Sequence, residues 1–292
     1  MKMSSNQYTV DETQVKQRLD VFVASKMTRL SRAFIQKLGD LGKITVQGNQ
    51  VKAGYKVRLG DVVDVDYDEA ELDNIPDIDL PVLYEDNDCI VINKPAGVLT
   101  HAQGKLGSEA TVATFLRDKL QDLEGIRGGI VHRLDRATSG VIICAKSQEA
   151  LSFLQKQFST RKAKKTYIAI VKGTPELLEA FIDMPIERNP KAPATFRIGP
   201  NGKPSMTHYK VIRSTDTYSM IELTPTTGRT HQLRVHLAEQ GMPIVGDPLY
   251  GKGAFGDRLY LHALSLEITL PSRERTTFTA PLPPEFTELM ES

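Results

Sequence analysis

Asp135 is the one carboxylate in the segment His132-Arg133-Leu134-Asp135-Arg136-Ala137-Thr138-Ser139-Gly140, and it stands between two guanidiniums. Apolar residues flank the segment: Ile130 and Val131 before it, Val141-Ile142-Ile143-Cys144-Ala145 after it. A charged turn between two buried strands is costly, because desolvated charge must be paired and strand interiors favour apolar residues. Such a carboxylate is either one half of a structural Arg–Asp ion pair or a group kept for chemistry. On this segment alone the structural pair carries more weight.

Three other segments have a composition that suits a reacting carboxylate. Lys164-Lys165-Thr166-Tyr167-Ile168-Ala169 sets a ring at the start of an apolar strand beside a lysine run. An aromatic next to cations is what stacking on a base while holding phosphates requires; the plainer reading is a half-buried core tyrosine. Thr227-Gly228-Arg229-Thr230-His231-Gln232-Leu233-Arg234-Val235-His236 puts Arg229 at a predicted helix N-terminus, where backbone N–H groups favour anions. Without chemistry, Arg229 is a surface contact to phosphate or carboxylate. In Asn93-Lys94-Pro95-Ala96-Gly97-Val98-Leu99-Thr100-His101, a strand end and a tight turn at Gly97 let backbone approach a ligand closely.

Two nucleotide motifs fail on context. Gly251-Lys252-Gly253-Ala254-Phe255-Gly256 fits GxGxxG, but Pro248 precedes it and no helix is predicted after it. Residues 246–253 resemble a phosphate loop, yet Gly253 stands where a hydroxyl must bind magnesium. His231 and His236 are five apart and point to different faces of a helix, so they share no metal. Cys89 and Cys144 lie in apolar runs with no CxxC pair, which suits buried thiols in a reducing compartment. No metal and no cofactor is expected.

Net charge over the 292 residues is only +1, but its distribution is uneven. Residues 26–60 hold eight Lys/Arg and one acid, residues 61–88 hold twelve acids and no Lys/Arg, and residues 150–175 hold six Lys/Arg and no acid. Two basic patches around an acidic stretch suit a polyanion. The polar N-terminus has no signal core, and no run is long and apolar enough to span a membrane, so a cytoplasmic protein is expected.

The elements follow. Residues 1–14 read as a loose polar tail. A small unit over 15–74 has a helix with Leu19, Phe22 and Val23 on one face, then a second helix from Ser31, an apt N-cap, with Phe34, Ile35, Leu38 and Leu41 on one face. Strands follow at 44–46, Val57 and 62–65, with a turn at Gly48-Asn49. Acidic, proline-containing residues 75–82 read as a linker. A larger domain over 83–292 has predicted strands at 83–84, 89–93, 167–171, 207–212, 219–223 and 264–270. Its predicted helices lie at 112–120, 231–239 and from a Ser147 cap to Phe158, and a Pro-rich tail ends it. Hairpins mixed with isolated helices make this α+β.

Together, in this order and spacing, the four segments resemble the RluA-type pseudouridine synthases of ribosomal RNA. Gly246-Asp247-Pro248-Leu249-Tyr250-Gly251 and Leu261-His262-Ala263 extend the likeness over residues 82–290. Gly202-Lys203-Pro204 and Thr207-His208-Tyr209 place it nearest the RluD-like large-subunit type. The first unit, with Arg18-Leu19-Asp20, Leu30-Ser31-Arg32 and Gly60-Asp61, resembles an S4-type RNA-binding domain. One departure is Ala137, where many relatives carry Asp; it flanks the nucleophile position.

The resemblance implies a small S4-like domain and a synthase domain built on a mixed, largely antiparallel sheet flanked by helices. It implies isomerisation of uridine within RNA: the N1–C1′ bond breaks, the base turns, and C5 bonds to C1′, with no cofactor. Asp135 would attack C1′ or remove a sugar proton. Arg229 would keep that carboxylate ionised, Tyr167 would stack on the target base and help handle the C5 proton, and Arg133 would fill the space left by a flipped base. Arg29, Ser31, Arg32, Lys37, Lys43, Lys164 and Lys165 would contact RNA. The expected partner is large-subunit ribosomal RNA or its assembly intermediate, bound by a monomer. The competing readings are a non-catalytic RNA-binding assembly factor, and a nucleoside hydrolase or lyase using the same carboxylate.

Overall fold

The computed structural model describes residues 5–30, 32–68, 75–101, 109–121, 123, 128–251 and 258–291. Two compact units share the chain: Met1–Asp79 with His101–Gly128, and Leu80–Thr100 with Gly129–Ser292. The boundary falls inside the expected linker, whose last residues already belong to the second unit. Leu80 is buried, and the Pro81 carbonyl accepts from the Asn93 N–H at 2.9 Å. This division differs from the expected domain over 83–292 in that His101–Gly128 clusters with the first unit. Apolar spacing at Val112 and Leu116 marks a helix there, but spacing does not name the core a helix joins.

The first unit packs α1 (Leu19–Lys26) and α2 (Arg32–Asp40) with β1 (Ser5–Thr9), β2 (Ile44–Val46), β3 (Asn49–Gln50) and β4 (Val62–Asp66), in sheet order β1-β4-β2-β3. Phe22, Val23, Ile35, Leu38, Val63 and Val65 form its core. The loose-tail expectation is corrected here. Ser5 pairs with Asp66 and Thr9 with Val62, antiparallel, and Val10 is buried. A polar edge strand with one neighbour carries little hydrophobic alternation, so its sequence does not announce it. Ser31 lies outside the described residues, so the cap expected there is not placed.

Asp20 is fully buried at the start of α1. It accepts from Arg18 Nε at 2.9 Å, Arg32 Nη2 at 3.0 Å and the Gln36 amide. Burial favours the neutral acid, but these donors outweigh it and hold the carboxyl far below the usual range.

In chain order the remaining strands are β5 (Val82–Glu85), β6 (Cys89–Lys94), β7 (Ser139–Ala145), β8 (Lys164–Lys172), β9 (Glu179–Asp183), β10 (Ile186–Arg188), β11 (Phe196–Ile198), β12 (Met206–Ser214), β13 (Tyr218–Pro225), β14 (Leu261–Thr269) and β15 (Arg275–Thr279). The helices are α3 (Val112–Phe115), α4 (Gln148–Ser159), α5 (Gln232–Glu239) and α6 (Pro284–Glu291). The second unit's main sheet runs β5-β6-β7-β14-β8-β13-β12-β9, with β15 beside β14; only β7–β14 is parallel. Central β7 is buried at every position, as its unbroken apolar run requires, whereas β13 alternates buried and half-buried. Ser147 caps α4, its hydroxyl accepting from the Ala150 N–H. In place of a Pro-rich tail, β15 and α6 close the chain, with Phe286 and Met290 buried.

One row across the sheet places the site. Gly140 on β7 pairs with Ala263 on β14, which pairs with Tyr167 on β8. Gly140 has φ 112°, and a Cβ there would run into the Ala263 backbone carbonyl. Gly140→Ala should therefore cost more than ~2 kcal/mol in urea unfolding with an unchanged slope. Trimming Ala263 should give no relief, since the clash is with backbone. A variant as stable as the parent would refute this close parallel pairing.

Candidate active site

Asp135 sits in an irregular loop just before β7. The segment preceding the loop makes a single bridge, Ile130 to Cys144, rather than the strand expected there. Such a loop has few backbone bonds of its own, and the turn after β6 supplies them. Thr100 Oγ1 donates to the Leu134 carbonyl at 2.9 Å and accepts from the Leu134 N–H at 3.2 Å. The Gly97 N–H donates to the Arg136 carbonyl at 2.8 Å. Lys94, fully buried, gives its ammonium to the carbonyls of Pro95, Val98 and Arg136. Burial pushes that ammonium down to about 7, with Asp135 opposing the shift. His132 stacks on Phe158 at 4.5 Å, and its Nε2 accepts from the Ile143 N–H. Burial and the nearby Lys165 hold this imidazole neutral, at about 3.

The cation beside Asp135 is Arg234, not Arg229. Arg234 Nη1 lies 3.7 Å from Asp135 Oδ2, and His231 Nε2 lies 3.9 Å from the same oxygen. Arg229 turns away: its Nε donates to the Pro204 carbonyl at 3.3 Å and its N–H to Gln232 Oε1 at 3.0 Å. Helix α5 begins at Gln232, one residue after the expected start at His231, so Arg229 is on the preceding loop and Arg234 is in the first turn. Arg234 is itself gripped by buried Asp247, Nε and Nη2 each 2.7 Å from a carboxylate oxygen. Asp247 also accepts the N–H groups of Leu249 and Tyr250. Burial works against both charges, yet the pair holds Asp247 below and Arg234 above their ordinary values.

Tyr167 and Asp135 line one cavity of about 530 Å³, together with Arg133, Lys165, Arg229 and Arg234. Burial, then the charge of Asp135, pushes the Tyr167 phenol well above its usual value, so it keeps its proton. Lys165 donates to the Thr227 carbonyl at 3.2 Å, and burial lowers its ammonium to about 8. The charged lining side chains are five cations, including Arg161, and one carboxylate. That balance suits a polyanion with one reacting group among its phosphates.

The other expected RNA contacts are dispersed. Lys164 is exposed and pairs with Glu267 at 3.4 Å. In the first unit, Arg32 is held by Asp20, Lys43 lies 3.8 Å from Asp66, and Arg29 and Lys37 are half-buried. Arg234, Asp247, His231 and Lys94 escaped the sequence reading as site residues. For Asp247 a signal existed, since a lone acid in Gly246-Asp247-Pro248 beside an arginine-bearing helix needs a partner. The GxGxxG-like stretch falls largely outside the described residues. Among the described residues no three His, Cys, Asp or Glu side chains gather as a metal site. No described helix is long and apolar enough to cross a membrane.

Residues 88–239 match the family model for RNA pseudouridylate synthase, and residues 17–63 match the S4 domain. The chain is 37% identical to an uncharacterized RNA pseudouridine synthase of Bacillus subtilis, YlyB, over 99% of this chain and 98% of that one. It is 34% identical to ribosomal large subunit pseudouridine synthase D of Borreliella burgdorferi, over 96% and 90%. Among solved structures, human RNA pseudouridylate synthase domain containing 1 superposes with a TM-score of 0.59 at 30% identity, over 70% of this chain and 83% of that one. With a family model spanning more than half its length and relatives matched nearly end to end, this chain belongs to the RNA pseudouridine synthases, isomerases that carry an S4 domain here.

Proposed function

We propose that this protein isomerises uridines of large-subunit ribosomal RNA, with Asp135 as the reacting carboxylate, Arg234 as its cation and Tyr167 as the platform for the base. One observation carries the reading: Asp135, Tyr167 and Arg234 meet in a single cavity whose other charged side chains are all cationic. The choice of RNA is supported by the relatives named ribosomal large subunit pseudouridine synthase C, of Vibrio parahaemolyticus, and D, of Borreliella burgdorferi. Free, buried Cys89 and Cys144 suit the reducing cytoplasm.

The target uridine leaves its stack at a cost of a few kcal/mol and enters the cavity over Tyr167. Arg133, exposed where it lines the cavity, occupies the vacated space. A carboxylate oxygen attacks C1′ and the N1–C1′ electron pair passes to N1. The freed base turns, C5 bonds to C1′, and the carboxylate leaves. C5 then gives up its proton and N1 gains one, so the mass is unchanged. In the alternative route the same carboxylate removes a sugar proton as the N1–C1′ electron pair passes to N1, and returns that proton to the sugar when C5 bonds to C1′. Arg234 offsets the carboxylate charge in either route, and the neutral Tyr167 phenol stacks on the base rather than serving as a phenolate base.

Asp135→Asn should abolish tritium release from RNA labelled at uridine C5 while RNA affinity survives; undiminished release would remove Asp135 from the mechanism. Arg234→Lys keeps a charge but loses the two-pronged grip on Asp247, and kcat should fall on the order of 100-fold. Arg229→Ala should mainly raise KM. The reverse pattern would restore Arg229 as the carboxylate's partner. Lys165 must be charged to hold a phosphate, and its proton is lost as pH rises through about 8. RNA affinity should thus fall between about pH 7 and pH 9, and Lys165→Met should flatten that fall while weakening binding at pH 7. An unchanged pH profile in Lys165→Met would show that Lys165 holds no phosphate.

A further inference from the structure

His231 lies beside Asp135 yet has no step in the reaction above. It caps α5 from the left-handed region, with φ 57°. For a non-glycine residue that conformation costs about 1 kcal/mol or more and persists where the surroundings enforce it. Here they do. The ring meets Phe196 edge-on at 5.5 Å and Tyr250 edge-on at 5.6 Å. Its Nδ1 is 2.8 Å from the Tyr250 hydroxyl, and its Nε2 is 3.9 Å from Asp135 Oδ2.

One backbone group constrains the proton directions. The Phe196 N–H can only donate, and it donates to the Tyr250 oxygen at 2.8 Å. The oxygen could accept again from His231 Nδ1, but only the direction in which the hydroxyl donates gives its own proton an acceptor at this short contact. A ring nitrogen that accepts is unprotonated, so a neutral imidazole carries its proton on Nε2. Burial keeps this imidazole neutral; Arg234 and Arg133 push the same way, against the pull of Asp135 and Asp247.

We propose that Tyr250 sets the tautomer of His231, and that His231 is a positioning residue presenting an Nε2–H to Asp135 Oδ2. Arg234 approaches the same oxygen at 3.7 Å, so two donors orient the carboxylate and leave Oδ1 for the ribose. The opposite tautomer would turn a lone pair toward the carboxylate. Asp247 organises both arms: it grips Arg234 through two hydrogen bonds and accepts the Tyr250 N–H at 3.1 Å. The 3.9 Å gap is longer than a hydrogen bond and shortens when RNA fills the cavity, as catalytic hydrogen bonds commonly do on substrate binding.

The inference rests on Asp135 being the reacting carboxylate, but its first test does not. Histidine 15N spectra of the full chain without RNA, with His231→Gln to assign the signal, read the tautomer directly. An Nε2-protonated, Nδ1-accepting ring is expected at neutral pH, and Tyr250→Phe should mix the two tautomers. A ring protonated on Nδ1, or an imidazolium at neutral pH, overturns the proposal and leaves the role of Asp135 untouched. In turnover, His231→Leu should lose ~10-fold or more in kcat with KM held. His231→Gln, whose amide N–H reaches the Nε2 position, should recover most of that loss. Tyr250→Phe should cost a similar factor in the parent and nothing further in the His231→Gln background. Equal cost in both backgrounds, or a loss carried by KM, overturns the tautomer role; full activity of Asp135→Asn would instead end the carboxylate reading.

Discussion

Arg234 and Asp247 are both buried, and they meet through two hydrogen bonds of 2.7 Å. Removing two charges from water costs several kcal/mol each, and their attraction repays it only when the remaining atoms are also satisfied. Asp247 meets that condition with the N–H groups of Leu249 and Tyr250. Arg234 meets it in part, because Nε and Nη2 are taken and Nη1 is left over. That remaining nitrogen faces Asp135. The direction of the cation beside Asp135 is thus a consequence of how the buried pair is satisfied. An ammonium is a point charge without a fixed third prong and cannot transmit orientation in this way.

A second constraint lies in the sheet. The Asp135 loop has almost no secondary structure, so its position depends on what it is tied to. At its end, Gly140 lets β7 run against β14, and Ala263 on β14 sits one strand from Tyr167. At its start, Thr100, Gly97 and Lys94 bind its carbonyls. A loop without regular structure is placed only when a rigid scaffold holds it, and here three donors from the end of β6 and the turn after it perform that task. Lys94 accepts a large loss of solvation to do so, which is why burial lowers its ammonium to about 7.

Much of this was legible in sequence, and the gaps have physical causes. Unbroken apolar runs at 89–93 and 141–145 marked the central strands, because strands buried on both faces need nothing else. Polar Ser5–Thr9 did not mark an edge strand. Helix α6 was missed although Pro284 at its first position, with Phe286 and Met290 four apart, is the pattern of a helix start and an apolar face. At the site, the cost of a carboxylate in a charged turn drew attention to Asp135, and a ring among lysines drew it to Tyr167. The start of α5 was read to within one residue, but the choice between Arg229 and Arg234 depended on side-chain direction: Arg229 on the loop turns to the Pro204 carbonyl, Arg234 in the first turn faces Asp135, and periodicity does not show this.

The same device recurs in the first unit at a smaller scale. Asp20 is fully buried while its partners Arg18 and Arg32 remain about half exposed. A free arginine on a surface gives up about 2 kcal/mol of rotamer freedom when it grips a phosphate. One already held at its base by a buried carboxylate has given up part of that freedom on folding, and so loses less on binding. Asp20 and Asp247 have equivalent effects: each keeps a negative charge away from solvent, and each turns that hidden charge into the orientation of a guanidinium. The net charge of +1 conceals this division. The charge such a surface presents is set less by how many cations the chain carries than by which of them a buried acid has already placed.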